Sequence, residues 1–181
     1  QNVSLIITVD NGVAGHEAIA YAQSQGVDVI VTDHHGLPAE LPEAFAIVHP
    51  EHPEADYPFK YLAGCGVAFK VACALIESIP TEMLDLVAIG TIADMVSLTD
   101  ENRIMVKVGL EILKQTERIG LIELIKVSDV DMADVNEETV GFKIAPQLNA
   151  LGRLDDPNPA VELLTGFDDE EAHNIAKMIN A

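Results

Sequence analysis

Positive charge is scarce in this sequence. Ten Lys and Arg residues stand against thirty Asp and Glu, a formal net charge of −20 at pH 7, which excludes a protein that grips nucleic acid with a broad basic face. A polyanionic ligand would have to be held locally, by metal ions, by a few arginines or by another part of a longer parent chain. Cysteine is nearly absent too. Cys65 and Cys73 are the only two, in one apolar stretch with no Cys-x-x-Cys and no His at zinc-ligand spacing, so reduced core thiols are expected rather than a disulfide framework or a zinc site. There is no run of about 18 uncharged apolar residues and no basic leader with a cleavage pattern. Internal repeats and low-complexity tracts are also missing. The expectation is a soluble, cytoplasmic protein without membrane contact. What is present is 181 residues, 49% hydrophobic, enough for one buried core or for one domain and the start of another. The chain opens directly on a strand pattern, so it reads as a piece of a longer protein.

Hydrophobic periodicity gives an α/β fold. Leu5–Val9 is a β-branched apolar run ending in Asp10-Asn11-Gly12, and Val29–Thr32 is a second one ending in Asp33-His34-His35. Gly15–Gln25 between them has helix-forming composition and stops at Gly26. Strand, helix, strand in this order predicts two parallel strands joined by a crossover helix, with their carboxyl ends side by side. A third strand is expected at Ala46–Val48, after the Pro-punctuated loop Gly36–Glu43. An irregular segment opening on His49-Pro-Glu-His-Pro53 then runs to Tyr61. Helices are expected at Gly66–Ile79, ended by Pro80, and from a cap at Thr81 to Asp94, with Leu84, Leu86, Val87, Ile89 and Ile92 mostly buried. Two more follow at Glu101–Gln115 and Gly120–Lys126. Asp129–Glu138 reads as an acidic connector, Ala145–Arg153 as a loop segment, and Pro159–Leu164 and Asp168–Ile179 as short helices. The expected architecture is a parallel sheet with crossover helices, a Rossmann-like core, followed by a helical segment. The expected division is a core over 1–127 and a second part, 128–181.

Ligands of open α/β sheets collect beyond the carboxyl ends of the strands, where Asp10 and Asp33-His34-His35 stand. Carboxylate oxygens suit Mn²⁺ or Mg²⁺, and an added imidazole moves the preference toward manganese, iron or zinc. Asp10 with one of the two histidines makes a plausible ligand set. Adjacent side chains of an extended strand point oppositely, so one histidine can ligate while the other meets substrate. Asp33 then orients a neighbouring imidazole. The plainer readings stand beside these: Asp-Asn-Gly is a common turn, loop histidines are commonly exposed, and Asp94 can cap a segment. His49 and His52 allow a shared ion without requiring one. His16 and His173 read as exposed, and Lys60, Lys70 and Lys143 as surface charges. Arg153 fits either a phosphate grip or a salt bridge to Asp155 or Asp156.

Five segments in order resemble the motifs of the DHH phosphoesterases: Val9-Asp-Asn-Gly12, Val31-Thr-Asp-His-His-Gly36, Tyr57–Lys70, Gly90-Thr-Ile-Ala-Asp-Met-Val96 and Ala145–Asp156. Together they are most similar to the branch that degrades single-stranded DNA from the 5′ end in repair and recombination. The resemblance implies a phosphodiester hydrolase using a pair of Mn²⁺ or Mg²⁺ ions. It implies Asp10, His34 and Asp94 as metal ligands, His35 facing the scissile phosphate with Asp33 in support, and Asn149 and Arg153 on the substrate backbone. Single-stranded DNA is the implied substrate and a single-strand-binding protein an implied partner. The family's first motif, an Asp-x-Asp pair, has no counterpart here, nor does its C-terminal substrate-binding domain, so the chain by itself is expected to be inactive. Gln147 stands where that branch often carries arginine. Two alternatives remain: a DHH phosphodiesterase for short oligonucleotides or cyclic dinucleotides, and a scaffold of the same fold without catalysis.

Overall fold

The computed structural model describes residues 3–152 and 156–179. Among these, three parallel strands in the order β1-β2-β3 form the sheet, with β1 at Leu5–Val9, β2 at Asp28–Thr32 and β3 at Ala46–Val48. Helix α1 (His16–Ser24) makes the crossover from β1 to β2 and stops before Gly26, whose φ of +76° is the conformation expected after a helix end. Val13 and Ile19 pack on Val29 and Val31 of β2, with Ala22, Leu37, Ala44 and Ile47 around them. The middle strand β2 is thereby buried, whereas Leu5, Ile6, Ile7 and Val9 of the edge strand β1 are exposed. The parallel α/β class expected from the periodicity is the one observed.

The chain divides into two compact units, one running to Pro80 and including Val96–Ile104, the other comprising Thr81–Met95 and the residues from Met105 onward. This partition crosses the sequence boundary at residue 127. In the first unit, helix α2 (Gly64–Ile76) begins two residues earlier and ends three earlier than expected. It stops because Glu77 takes the left-handed conformation, φ 54°, before Pro80 is reached. A polar knot ties the irregular segment to the start of α4 (Asp100–Leu113): the Tyr57 hydroxyl donates to Glu101 at 2.7 Å, and Lys70 pairs with the same carboxylate at 3.0 Å. Lys70 is therefore not a plain surface charge.

In the second unit, α3 (Leu84–Ala93) follows a 3-10 turn at Thr81–Met83, and Thr81 does not cap it. Its Leu84, Val87 and Ile89 are buried, and Leu86 and Ile92 are half-buried. Gly109 of α4 lets α3 approach so closely that a Cβ there would collide with the Leu84 carbonyl and Ala88. Helix α5 (Ile119–Val127) packs on α8 (Asn158–Thr165) and α9 (Asp169–Ile179).

The acidic connector and the loop after it are more regular than expected. Asn136 and Thr139 form a reciprocal capping box that starts α6 (Glu137–Thr139), which runs through a π-helical turn at Val140–Ile144 into α7 (Ala145–Leu151). Pro146 does not break this run because it sits in the first turn of α7, next to the wide π turn. Val135 and Val140 are buried, so this stretch is not a purely solvated tether. Cys65 and Cys73 are half-buried and form no disulfide. No described helix is long and apolar enough to cross a membrane.

The second unit also buries a charge. Asp85, 1% exposed, accepts from the Arg118 Nε and the Thr116 hydroxyl, each at 3.0 Å. Replacing it leaves a partly buried guanidinium and a buried hydroxyl without their acceptor, so Asp85→Ala should lower the unfolding free energy by about 3 kcal/mol, read as a shift in the urea midpoint. The knot in the first unit predicts a pH dependence. Burial pushes the Glu101 carboxyl up, but hydrogen bonds from Tyr57 and Lys70 outweigh it and hold the group below its ordinary value. For Lys70 burial pushes down, and its bond and attraction to Glu101 win, so its value is raised. A lowered carboxylate stabilises the fold above its unfolded value and loses that contribution as pH falls through the folded one. The stability gap between the native chain and Glu101→Gln should therefore be about 1 kcal/mol near neutrality and close as pH drops below about 4. It should also close at the alkaline end, as pH rises past the unfolded lysine value toward the raised folded one. Urea midpoints across pH measure both limbs.

Candidate metal centre

The register pairing Val9 with Thr32 sets Asp10 beside Asp33 at the carboxyl ends of β1 and β2. The pairing extends one step beyond the strands, because the Asp10 N–H donates to the Thr32 carbonyl at 2.9 Å. Asp10 itself takes φ 62°, a left-handed conformation that Asp tolerates better than most residues. Gly12 follows at φ 122°, with the Thr8 hydroxyl and Val31 where a side chain would go. The chain bends at Asp10 and Asn11 still bridges to Thr32, so the turn expected at Asp-Asn-Gly falls later, at Val13-Ala14, where the Gly15 N–H donates to the Gly12 carbonyl at 2.9 Å. The N-terminus of α2 meets the Asp10 carboxylate: a Cβ at Gly64 would overlap Asp10 Oδ1 and Cγ. An anion at the first turn of a helix is stabilised by the exposed N–H groups and the helix dipole.

Asp33 organises the end of β2. It is 1% exposed; its Oδ2 accepts the Val13 N–H at 3.1 Å, and its Oδ1 accepts the His34 N–H at 2.8 Å and the His35 N–H at 3.2 Å. The same oxygen lies 2.7 Å from His35 Nδ1. An ionised carboxylate can only accept, so Nδ1 carries the proton in this bond. Burial pushes Asp33 up, yet the Val13 N–H, the His35 ring and the N–H groups of His35 and His34 together hold it below the usual carboxylate range.

His34 Nε2 lies 3.0 Å from Asp10 Oδ1, and the two imidazole centroids are 4.7 Å apart. Ligand atoms of Asp10, His34 and His35 all fall within 4.8 Å of one another. Two imidazoles and a carboxylate at that spacing are a donor set of the right size and chemistry for one borderline divalent ion. A cavity of about 370 Å³ opens beside it, lined by Asn11, Gly12, Gly15, Asp33, His35 and Gly36.

The remaining candidates divide. Asp94 belongs to the second unit, exposed at the C-cap of α3, and Asn149 is exposed on α7. Arg153 lies outside the described residues. The shared-ion possibility for His49 and His52 is contradicted at His49: its Nδ1 accepts the Glu51 N–H at 3.0 Å and its Nε2 meets the His35 carbonyl at 2.8 Å, so neither nitrogen is open. Lys60 holds the same loop through the Pro50 carbonyl at 3.0 Å, and Lys143 reaches the Asp129 carbonyl at 3.4 Å. His16 and His173 are exposed as expected, bonded to the Glu40 carbonyl and to Glu123. Sequence reasoning missed Gly64, whose signal was a glycine opening a helix. His49 was expected to line the same cleft because it follows the third strand, but its bond to the His35 carbonyl was not foreseen.

Residues 1–91 match the model of the DHH family, N-terminal domain. Over 177 residues the chain is 55% identical to the single-stranded-DNA-specific exonuclease RecJ of Bacillus subtilis (strain 168), covering 98% of this chain and 22% of that protein. Its fold matches a crystal structure of exonuclease RecJ bound to manganese with a TM-score of 0.87 at 35% identity, covering 98% of this chain and 46% of that one. It also matches RecJ from Thermus thermophilus in complex with Mg²⁺, with a TM-score of 0.76 at 34% identity over 98% of this chain and 25% of the other. The chain thus spans less than half the length of each of these three. With the family model covering half of the sequence, and the Asp-His-His at the end of β2 inside the matched region, the chain belongs to the DHH family.

Proposed function

We propose that this chain is the metal-binding core of a single-stranded-DNA exonuclease, working from the 5′ end, within a protein of RecJ's length. The observation that carries the reading is the convergence of Asp10, His34 and His35 donor atoms within 4.8 Å at the ends of two adjacent parallel strands. Asp10 and His34 would hold Mn²⁺ or Mg²⁺, the ions named for the two similar solved structures. When bound, such an ion supplies a Lewis-acid charge that draws in a phosphodiester and offsets the negative charge growing on its oxygens. This is how a chain of charge −20 would attract a polyanion.

His35 takes a catalytic and substrate-contacting role in this reading. It is the most exposed of the four residues at the site, 60% by its side chain, and Asp33 fixes its ring through Nδ1. Its Nε2 lies on the side of the ring away from Asp33, from where it would meet a phosphate oxygen. Asn149 and Arg153 would hold the DNA backbone, within the 128–181 part that follows the 1–127 core. Recruitment by a single-strand-binding protein and action in the cytoplasm during repair and recombination belong to the same proposal.

A full-length parent carrying this chain should degrade 5′-phosphorylated single-stranded DNA with Mn²⁺, and Asp10→Ala or His34→Ala should lower the rate by at least about 10³-fold. Activity that survives in those variants, or a preference for dinucleotides over long strands, overturns the assignment. Gly64→Ala tests the cradle on this chain itself. Its methyl group would displace the Asp10 carboxylate, so calorimetric Mn²⁺ affinity should fall about tenfold or more, with far-ultraviolet circular dichroism unchanged.

A further inference from the structure

The reading above leaves His49 unused, although its position is hard to explain as packing alone. His49 directly follows β3 and is only 4% exposed. The Glu51 N–H donates to its Nδ1, so Nδ1 carries no proton, and the proton on Nε2 is donated to the His35 carbonyl. One tautomer is thereby fixed by the turn that His49 itself begins.

The acceptor is what matters. His35 is held at three points: its N–H and its ring Nδ1 by Asp33, at 3.2 and 2.7 Å, and its carbonyl by His49, at 2.8 Å. Its side chain is 60% exposed and meets the His34 ring, with centroids 4.7 Å apart. The bond from the Asp33 N–H to the Val48 carbonyl, at 3.2 Å, carries the β2–β3 pairing up to this point and brings His49 level with the Asp-His-His turn. An apolar residue could fill the same volume but could not bond the carbonyl.

We propose that His49 is a positioning residue for His35, locking the peptide that follows the Asp33–His35 pair so that the exposed imidazole keeps one orientation toward the ion and the phosphate. The proposal rests on the metal-site reading for its functional meaning, and on the three contacts for its geometry. His49 touches neither substrate nor metal in this arrangement; it acts only through His35.

Two amide variants separate this role from a merely structural one. The nitrogen of a glutamine reaches about where His Nε2 lies, and the shorter asparagine reaches about as far as Nδ1. His49→Gln therefore keeps the donor to His35, while His49→Asn keeps only a partner for the Glu51 N–H. In the ¹⁵N-labelled, metal-free 181-residue chain, two-bond proton–nitrogen spectra of the imidazoles report the His35 tautomer and its bond to Asp33. Calorimetry then reports Mn²⁺ affinity.

His49→Asn should shift the His35 ring signals and weaken Mn²⁺ binding about tenfold or more, and His49→Gln should restore both. Lys60→Met, which removes the other tie on this loop without touching His49, should leave the His35 signals in place. If the asparagine variant gives no folded spectrum, His49→Met takes its place, keeping bulk without a donor. The proposal is overturned if the donor-less variant leaves His35 unmoved, if both amide variants displace it equally, or if Lys60→Met displaces it as much. A native chain that binds no Mn²⁺ would overturn the metal reading instead, and the ring signals would still decide the role of His49.

Discussion

Everything at the sheet's carboxyl end depends on one buried carboxylate. Asp33 is nearly inaccessible to water, and a charge so placed is tolerated only when its lone pairs are filled. Val13, His34 and His35 fill them, with three backbone N–H groups and one ring nitrogen. Each bond also shapes the backbone: Val13 ties in the loop after β1, and the two bonds to His34 and His35 curl the chain just past β2. The need to satisfy Asp33 therefore sets the conformation of the two candidate histidines. Desolvation alone would drive this carboxyl toward its neutral form, and its lowered pKa shows the hydrogen bonds winning.

Around that buried anchor the site is graded by exposure. Asp33 is buried, His34 is mostly covered, and Asp10 and His35 face solvent. An orienting group works best where the dielectric is low and its partners are fixed, while a group proposed to meet an ion and a strand of DNA has to stay reachable. Asp10 shows what holding an exposed donor in place requires. Its left-handed backbone carries a strain of about 1 kcal/mol, maintained by the bond to Thr32, by the absent side chain at Gly64 and by the favourable field of a helix N-terminus. Two glycines, Gly12 and Gly64, make room where β1 turns and where α2 begins.

Much of this could be read before any coordinates. The two β-branched runs, the glycine-stopped helix between them and the acidic and histidine residues at the strand ends all follow from local pattern, and they give the parallel α/β core and the Asp10–His34–His35 cluster. What escaped was set by long-range contacts or by a second feature offsetting a local signal. Pro146 argued for a loop, but a proline in a helix's first turn loses no hydrogen bond, and the Asn136–Thr139 capping box lies too far upstream to be weighed with it. Pro80 argued for a late helix end, yet Glu77 turned first. Asp85 looked like one more acidic residue; only the fold brings Arg118 and Thr116 to it across more than thirty positions.

His49 illustrates the limit best. The sequence already placed His49-Pro-Glu-His52 below Asp33-His34-His35 as an ion site, because flanking prolines extend its chain and no carboxylate strand end stands beside it. What it did not give is the use of His49: the histidines after β2 lie by the Asp10 carboxylate, while the one after β3 turns inward onto the His35 carbonyl. A histidine whose two nitrogens both serve the backbone is lost as a ligand and gained as a brace. In the proposed site, an acidic chain that holds cations through a few imidazoles needs those imidazoles preset, because each rotamer still free before binding would subtract from an affinity built on few contacts.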